Sequence, residues 1–482
     1  MPSLRRSLII NFLSTSGATG VQFLVSIFLA RLLTPSEIGI FSITVVFVNI
    51  AHIFRDFGVA SYLQRERKLT PEKIRSAIGV LFTSSWLIAA ILFFASNWIA
   101  RWFNEPGIVP VTQVLAAGFL FIPFAAVTNA LLTREYAAGK QAIVNVVGTT
   151  TYAVTCLGLA TNGFGTMSLA WANLANIVIC AVALVPFRPQ HAPWLPSFRN
   201  WGTVLHFGVG SLLSNSATAI NNAIPDVLLG KMGTAHHVGL LSRANSTVAI
   251  FTYVAGNTVN YGSVAYFAAA HHKGQALAPL VAHATSLVTG VGWPALALTA
   301  LLGNEIVLTL YGVGWVECVP AIPALALAAG IAMMFNYSSA VLTALGRPYL
   351  SAVPVVLTIV VRIVVGLAVF DGSVKTFAWA ICIAGITTLP VMLVQQRRYF
   401  DYRLRTMLIA MVPSAIVTLA CVTVGTVMLW LIPANYSAPL RLIILIVPLT
   451  LGWYGALRMT AHPLLKEVNH IYTAIKIRIF GI

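Results

Sequence analysis

Apolar runs of about 20 residues, each long enough to cross a bilayer core, follow one another along the whole chain. Short stretches where Gly, Pro and charged residues gather separate them. With no water at membrane depth, backbone polar groups must be satisfied within each segment, so such runs are helices. The pattern predicts an all-α polytopic membrane protein of about fourteen transmembrane helices, each about 20 residues long. The spans centre on 8–30, 38–62, 76–99, 110–132, 142–161, 165–186 and 202–230 in the first part. They continue at 237–263, 278–302, 318–344, 349–370, 376–394, 407–431 and 442–457.

Polar positions within the first two spans return 200 residues later. Leu13-Ser14-Thr15-Ser16 answers to Leu213-Ser214-Asn215-Ser216, and Leu29-Ala30-Arg31-Leu32 to Leu229-Gly230-Lys231-Met232. Thr34, Gly39 and Ser42 answer to Thr234, Gly239 and Ser242. A weaker echo sets Leu132-Thr133-Arg134-Glu135-Tyr136 against Leu345-Gly346-Arg347-Pro348-Tyr349. Six spans separate the copies, an even number, so both run the same way through the membrane. Parallel repeats of this kind are related by an axis along the membrane normal, with substrate sites between them. The expected layout is a six-helix lobe over 1–187, a cytoplasmic linker over 188–200 and a second six-helix lobe over 201–395. Two additional helices follow over 396–460, then an amphipathic tail over 461–482. Two readings of that tail stand side by side, an interfacial helix on anionic lipid and a frayed terminus.

Composition removes the soluble classes. The chain is 58% hydrophobic and only 9% charged, where soluble domains carry about a quarter charged residues. Its formal charge of +17 is spread over short loops, without the basic domain that nucleic acid requires. The placement of Lys and Arg sets orientation instead. With the N-terminus inside, the outer side holds only Arg31, Arg101, Lys231, Lys375 and Arg441. Arg55, Arg243 and Arg362 lie within spans, and the rest of the 29 basic residues fall on the inner side. Both termini are therefore expected in the cytoplasm, with the basic Met1–Arg6 leading into a retained first span. The cysteines, Cys156, Cys180, Cys318, Cys382 and Cys421, stand singly in apolar surroundings, with no spacing for a metal or a disulfide framework.

Against that apolar background the polar residues carry the information. Asn11, Thr15, Gln22 and Ser26 recur on one face of the first span. Ser211, Asn215, Asn222 and Asp226 take the equivalent positions on the seventh, with Thr218 and Asn221 nearby. Ser42, Asn49, His52 and Asp56 share a stripe on the second span, with Arg55 adjacent, and the eighth carries Ser242, Asn245, Thr252 and Asn260. Any one of these is ordinarily a hydrogen bond between packed helices. Faces on both leading hairpins point instead to a hydrated cavity, because a charge at the bilayer centre costs about 2.5 kcal/mol or more without a partner or water. Arg55 and Asp56, near the inner end of their span, also admit a packing ion pair. Asp226 and Arg243 flank one outer corner and also admit pairing with each other. Arg362, between Val361 and Ile363, is too deep to reach an interface and reads as a cavity cation.

Catalytic readings find little support. His236-His237 and His271-His272 fall on opposite sides of the membrane and lack ligand spacing. No Walker A sequence is present to cradle a nucleotide. No enzyme, metal or cofactor is expected.

The opening hairpin carries a family resemblance. Ala30-Arg31-Leu32-Leu33-Thr34-Pro35-Ser36-Glu37-Ile38-Gly39, followed by Phe54-Arg55-Asp56-Phe57-Gly58 and Gln64-Arg65, resembles the polysaccharide transporter family. These are the Wzx-type flippases of the multidrug/oligosaccharidyl-lipid/polysaccharide exporter superfamily. The motif covers the first two spans, while span count, repeat and orientation extend the likeness over the full length. It implies a bacterial inner-membrane protein that moves undecaprenyl-pyrophosphate-linked oligosaccharide for lipopolysaccharide O-antigen or exopolysaccharide synthesis. Its implied partners are that lipid-linked oligosaccharide, membrane lipids and a polysaccharide polymerase or assembly protein, with no nucleic acid. The resemblance brings no catalytic set. Position alone assigns Arg55, Arg243 and Arg362 to the pyrophosphate and Asn215, Asn221 and Asn222 to the sugar. Asp56 and Asp226 become candidates for coupling to a proton or sodium gradient. The competing expectation is a cation-coupled multidrug or small-molecule antiporter of the same superfamily. A cavity with more acids than cations would favour it, whereas the intramembrane charges here are three Arg against two Asp.

Overall fold

The computed structural model describes residues 4–56, 58–66, 69–189, 192–198, 201–252, 263–433 and 435–470. Side chains within α-helical stretches 4–9, 203–215 and 251–252, and those of Asn11, Asp56, Ser61, Gln64, Arg65, Ala217 and Thr218, also lie outside the description. Helices account for nearly all of it, and among the described residues there is no strand. Among the described residues, twelve helical stretches are long and apolar enough to cross a membrane.

The chain packs as two compact units, Met1–Gly239 and Leu240–Ile482. The first begins with α1 (Leu4–Leu32), α2 (Pro35–Asp56), α3 (Val59–Arg65) and α4 (Pro71–Phe103). It continues with α5 (Ile108–Arg134), α6 (Ala138–Thr161), α7 (Thr166–Leu184), α8 (Gly202–Met232) and the first turn of α9 (Ala235–Thr252). Its core is built where α2, α4, α5 and α7 meet, around Val48, Leu92, Leu115, Phe119 and Ala170. A second core of Val59, Leu63, Ile78, Leu81 and Leu131 joins α3, α4 and α5.

The sequence reads 38–62 as one span, and the structure breaks it. Gly58 adopts φ 66°, the left-handed conformation that glycine reaches without a Cβ clash, so the chain restarts as α3. Arg134, at the end of α5, then caps α3 by donating from Nη1 to the carbonyls of Leu63 (2.8 Å) and Glu66 (2.6 Å). The expected linker is folded onto this unit as well. Arg188 donates to the carbonyls of Ala192 and Pro193 and stacks over Trp194 at 4.0 Å. That burial pushes its guanidinium below the ordinary value. Ser197 N–H donates to the Arg75 carbonyl (2.9 Å), and a Cβ at Gly79 would overlap the Ser197 carbonyl.

The second unit holds the rest of α9, then α10 (Ser263–His272), α11 (Leu277–Leu301) and α12 (Gly303–Leu310). After a 3-10 segment, Val313–Ala321, come α13 (Ile322–Met333), α14 (Ser338–Ala344), α15 (Ala352–Val369) and α16 (Val374–Phe400). The tenth expected span is thus divided between α13 and α14. The two additional helices, α17 (Leu404–Leu431) and α18 (Ala438–Met459), close the unit. They are fastened to α11 by a buried polar chain. Leu464 N–H donates to His462 Nδ1 (3.1 Å), which leaves the ring proton on Nε2 facing Ser414 Oγ at 3.0 Å. Ser414 meets Thr289 Oγ1 at 2.9 Å, and Thr289 donates to the Thr285 carbonyl. Gly290 makes room for the imidazole, since a Cβ there would overlap it. Residues 464–470 are helical, with Leu464 and Leu465 packed on the α17–α18 core and Tyr454 OH donating to Asn469. Residues 471–482 of the tail lie outside the described residues.

Candidate functional site

The candidate residues divide between the units. Arg55, Asp56, Asn215, Asn221, Asn222 and Asp226 belong to the first, Arg243 and Arg362 to the second.

In the first unit Arg55 sits half-buried in the last turn of α2, one turn before the Gly58 break. Its carbonyl accepts from Ser84 Oγ of α4 at 2.9 Å, which fixes the end of α2 against α4. The side chains of Asp56 and Asn215 lie outside the described residues. His52, which shares the stripe of Asp56, is spent on packing: its ring stacks on Phe119 with centroids 4.6 Å apart. Asn49 is exposed. Along α1, Thr15, Thr19 and Gln22 are exposed, and Ser14 Oγ accepts from Asn145 Nδ2 of α6 at 3.5 Å. On α8 Asn222 is exposed, while Asn221 and Asp226 are half-buried on either side of Pro225. The far end of α8 packs tightly, since a Cβ at Gly230 would press on Phe103 and Ile43.

In the second unit Arg243 is enclosed. It is 8% exposed and lies between two rings, 5.7 Å from Tyr311 and 5.6 Å from Trp315. Thr247 Oγ1 bonds back to the Arg243 carbonyl (2.8 Å). A guanidinium over aromatic faces gains cation–π attraction, strongest where water is excluded. Sequence reasoning missed this cage, because Tyr311 and Trp315 stand 68 and 72 positions away, with no periodic relation to Arg243. Arg362 stands half-buried in the middle of α15, whose Val353, Val356, Val360, Val364 and Leu367 are exposed.

The repeat is visible as geometry at the two corners, again within the first unit. Thr34 donates from both N–H (2.8 Å) and Oγ1 (2.9 Å) to Glu37 Oε2, and Glu37 N–H returns to Thr34 Oγ1. This is a reciprocal capping box, built on the spacing of Thr34 to Glu37 in Thr-Pro-Ser-Glu. At the second corner Thr234 N–H donates to His237 Nδ1 (3.2 Å), and Thr234 Oγ1 lies 2.9 Å from the same nitrogen. The first turns of α2 and α9 then cross at their glycines. A Cβ on Gly39 would overlap the Ala235 carbonyl, and one on Gly239 would overlap the Pro35 carbonyl.

Comparisons with known proteins agree with this architecture. The family described as "Polysaccharide biosynthesis protein" matches residues 28–320, a stretch that contains both corners. The succinoglycan biosynthesis transport protein ExoT of Rhizobium meliloti (strain 1021) is 23% identical over 326 residues, 66% of this chain and 65% of ExoT. The chain thus spans just under two thirds of that relative's length. The teichuronic acid biosynthesis protein TuaB of Bacillus subtilis (strain 168) is 21% identical over 79% of each chain. Among solved structures, the lipid II flippase MurJ in an inward closed conformation superposes with a TM-score of 0.74. That likeness covers 92% of this chain and 98% of MurJ at 12% identity, and speaks for the fold. With more than half its length matched, the chain belongs to the polysaccharide biosynthesis protein family.

Proposed function

We propose that this protein is a flippase that carries undecaprenyl-pyrophosphate-linked oligosaccharide across the bacterial inner membrane for lipopolysaccharide O-antigen or exopolysaccharide synthesis. Family membership over 28–320 carries the reading, because that stretch includes both copies of the repeated hairpin. The names of the matched relatives, in succinoglycan transport and teichuronic acid synthesis, support a saccharide cargo over a multidrug cation. The mechanism is alternating access by the two repeat-related lobes, with both termini cytoplasmic.

In this reading Arg55 and Arg362 meet the pyrophosphate, for which a planar guanidinium offers paired donors. Arg243, held against Tyr311 and Trp315, contributes its charge to the same group. Asn215, Asn221 and Asn222 meet sugar hydroxyls, since a carboxamide both donates and accepts. Asp56 and Asp226 take up the coupling proton or sodium ion. A polymerase or other assembly protein receives the product.

The test is a deletion strain assayed for lipid-linked oligosaccharide on the cytoplasmic leaflet. Accumulation there, with loss of surface polysaccharide, is the expected result; normal surface polysaccharide counts against the cargo. In a reconstituted assay Arg55→Ala and Arg362→Ala should each slow flipping at least tenfold. Full activity in both variants removes the cation role.

A further inference from the structure

The two corners cap their second helix with different chemistry. At the first, the acceptor is a carboxyl group, which keeps an acceptor oxygen whether or not it is ionised. At the second it is His237 Nδ1, and only the neutral ring offers that lone pair. The Thr234 N–H points at Nδ1, so the proton of the neutral ring is on Nε2. Adding a proton turns Nδ1 into a donor. The Thr234 hydroxyl can rotate to accept from it, but the Thr234 N–H loses its partner. The new positive charge also lies in the first turn of α9, where the helix dipole opposes it.

The cap matters because of what the next residue does. Ala235, the first residue of α9, presents its carbonyl to Gly39 of α2, and the Pro35 carbonyl faces Gly239 in return. Backbone meets backbone at this crossing, with no side chain between them to absorb a shift. Whatever loosens Thr234 and Ala235 therefore loosens the crossing.

We propose that the α8–α9 corner is a proton-responsive joint. Neutral His237 caps α9 and holds the Ala235 carbonyl against Gly39, and protonation of His237 releases both. The Thr34–Glu37 corner, built on the same frame, does not respond. That the joint faces the outer solution rests on the proposed orientation, in which case external acid favours parting of α9 from α2. The elements that meet at this corner carry ionisable groups of mixed sign beside His237. On α9 the His236 ring lies 6.0 Å away edge to face, and α2 brings Glu37. From α8 come Lys231, held by the Trp102 carbonyl at 2.8 Å, and Asp226, and α4 ends with Arg101. Imidazole is the side chain whose charge ordinarily changes between pH 8 and pH 5.

The test is hydrogen–deuterium exchange of the full chain in nanodiscs from pH 8 to pH 5, corrected for intrinsic rates. Peptides over 34–40 and 234–240 are compared in the same sample, so the first corner is the internal standard. Protection of 234–240 should fall relative to 34–40 by about twofold to thirtyfold, the range expected from losing a helix cap. The fall should vanish in His237→Glu, which copies the first corner, and in His237→Gln, whose Oε1 accepts at every pH. A wild-type ratio that stays flat overturns the proposal, as does the same fall in either variant. Should one variant not fold, the other decides. The exchange experiment needs no cargo, so its result is independent of the flippase reading. A His237-dependent ratio alongside normal surface polysaccharide in the deletion strain would keep the joint and discard the cargo.

Discussion

Corner 34–39 and corner 234–239 share a threonine cap, a hydrogen bond from Thr N–H to a side chain three residues on, and a glycine at the crossing. They differ in the side chain that accepts that bond. The frame common to both is backbone geometry, which duplication hands down intact. The element free to diverge is the third residue of the helix, where carboxyl and imidazole satisfy the same N–H at neutral pH. A repeat therefore conserves a joint while changing what the joint responds to.

The largest expected effect tests the shared part. Gly39→Val and Gly239→Val each drive a side chain into a carbonyl that cannot move aside. Each should cost about 3 kcal/mol, the upper end of overpacking. Because the contacts are reciprocal, the two costs should be similar, and the double variant should cost less than their sum. Inactivation half-lives at one temperature in one detergent provide the measurement, since membrane proteins of this size seldom unfold reversibly. Clearly unequal or fully additive losses would show that the crossing is not symmetric.

A smaller effect tests divergence one turn further along, where the repeat aligns Ile43 with Arg243. Ile43 is a buried aliphatic, and Arg243 is a cation between Tyr311 and Trp315. Arg243→Ala should cost about 2 kcal/mol through lost packing and ring contact. Arg243→Lys should cost about 1 kcal/mol, since the ammonium keeps the charge but not the flat face. If Lys proves as damaging as Ala by the same half-lives, the planar contact rather than the charge holds α9 in place.

Next come the caps. Glu37→Ala and His237→Ala should each cost about 1 kcal/mol at pH 8, the worth of the hydrogen bond each side chain accepts from the threonine N–H. At pH 5 the first cost should persist and the second should shrink, because protonated His237 has already let go of the Thr234 N–H. Equal costs at both pH values would erase the chemical difference between the corners.

Much of this was legible in the sequence, and for a physical reason. Span identity depends on local composition, and the repeat on register, so helix order and the places of both corners follow from the residues alone. The first capping box is likewise a local spacing, Thr34 to Glu37. Its counterpart was hidden because histidine is not the carboxyl or carboxamide that a capping-box spacing calls for, and only hydrogen-bond geometry reveals His237 as the acceptor. The break at Gly58 was hidden because Phe57 and Val59 continue the apolar run on either side. The Arg243 cage and the His462–Ser414–Thr289 chain join residues far apart in sequence, and tertiary contacts of that kind leave no periodic trace.

The smallest effect supplies a second standard at the turn between α15 and α16. There Asp371 Oδ1 accepts from Ser373 N–H (3.0 Å) and from Thr376 Oγ1 (2.5 Å). These bonds, the Thr376 hydroxyl first, hold the carboxyl below its ordinary range. A carboxylate depressed in this way lends its support at neutral pH and gives it up as pH falls through the lowered folded value, below the ordinary Asp value of about 3.9. Exchange protection over 371–377 should therefore stay constant from pH 8 to pH 5, the interval in which 234–240 loosens. Asp371→Asn should lower protection of 371–377 only slightly and leave its flat profile unchanged, because the amide oxygen still accepts. If 371–377 loosened in step with 234–240, the change would belong to the fold as a whole and not to His237.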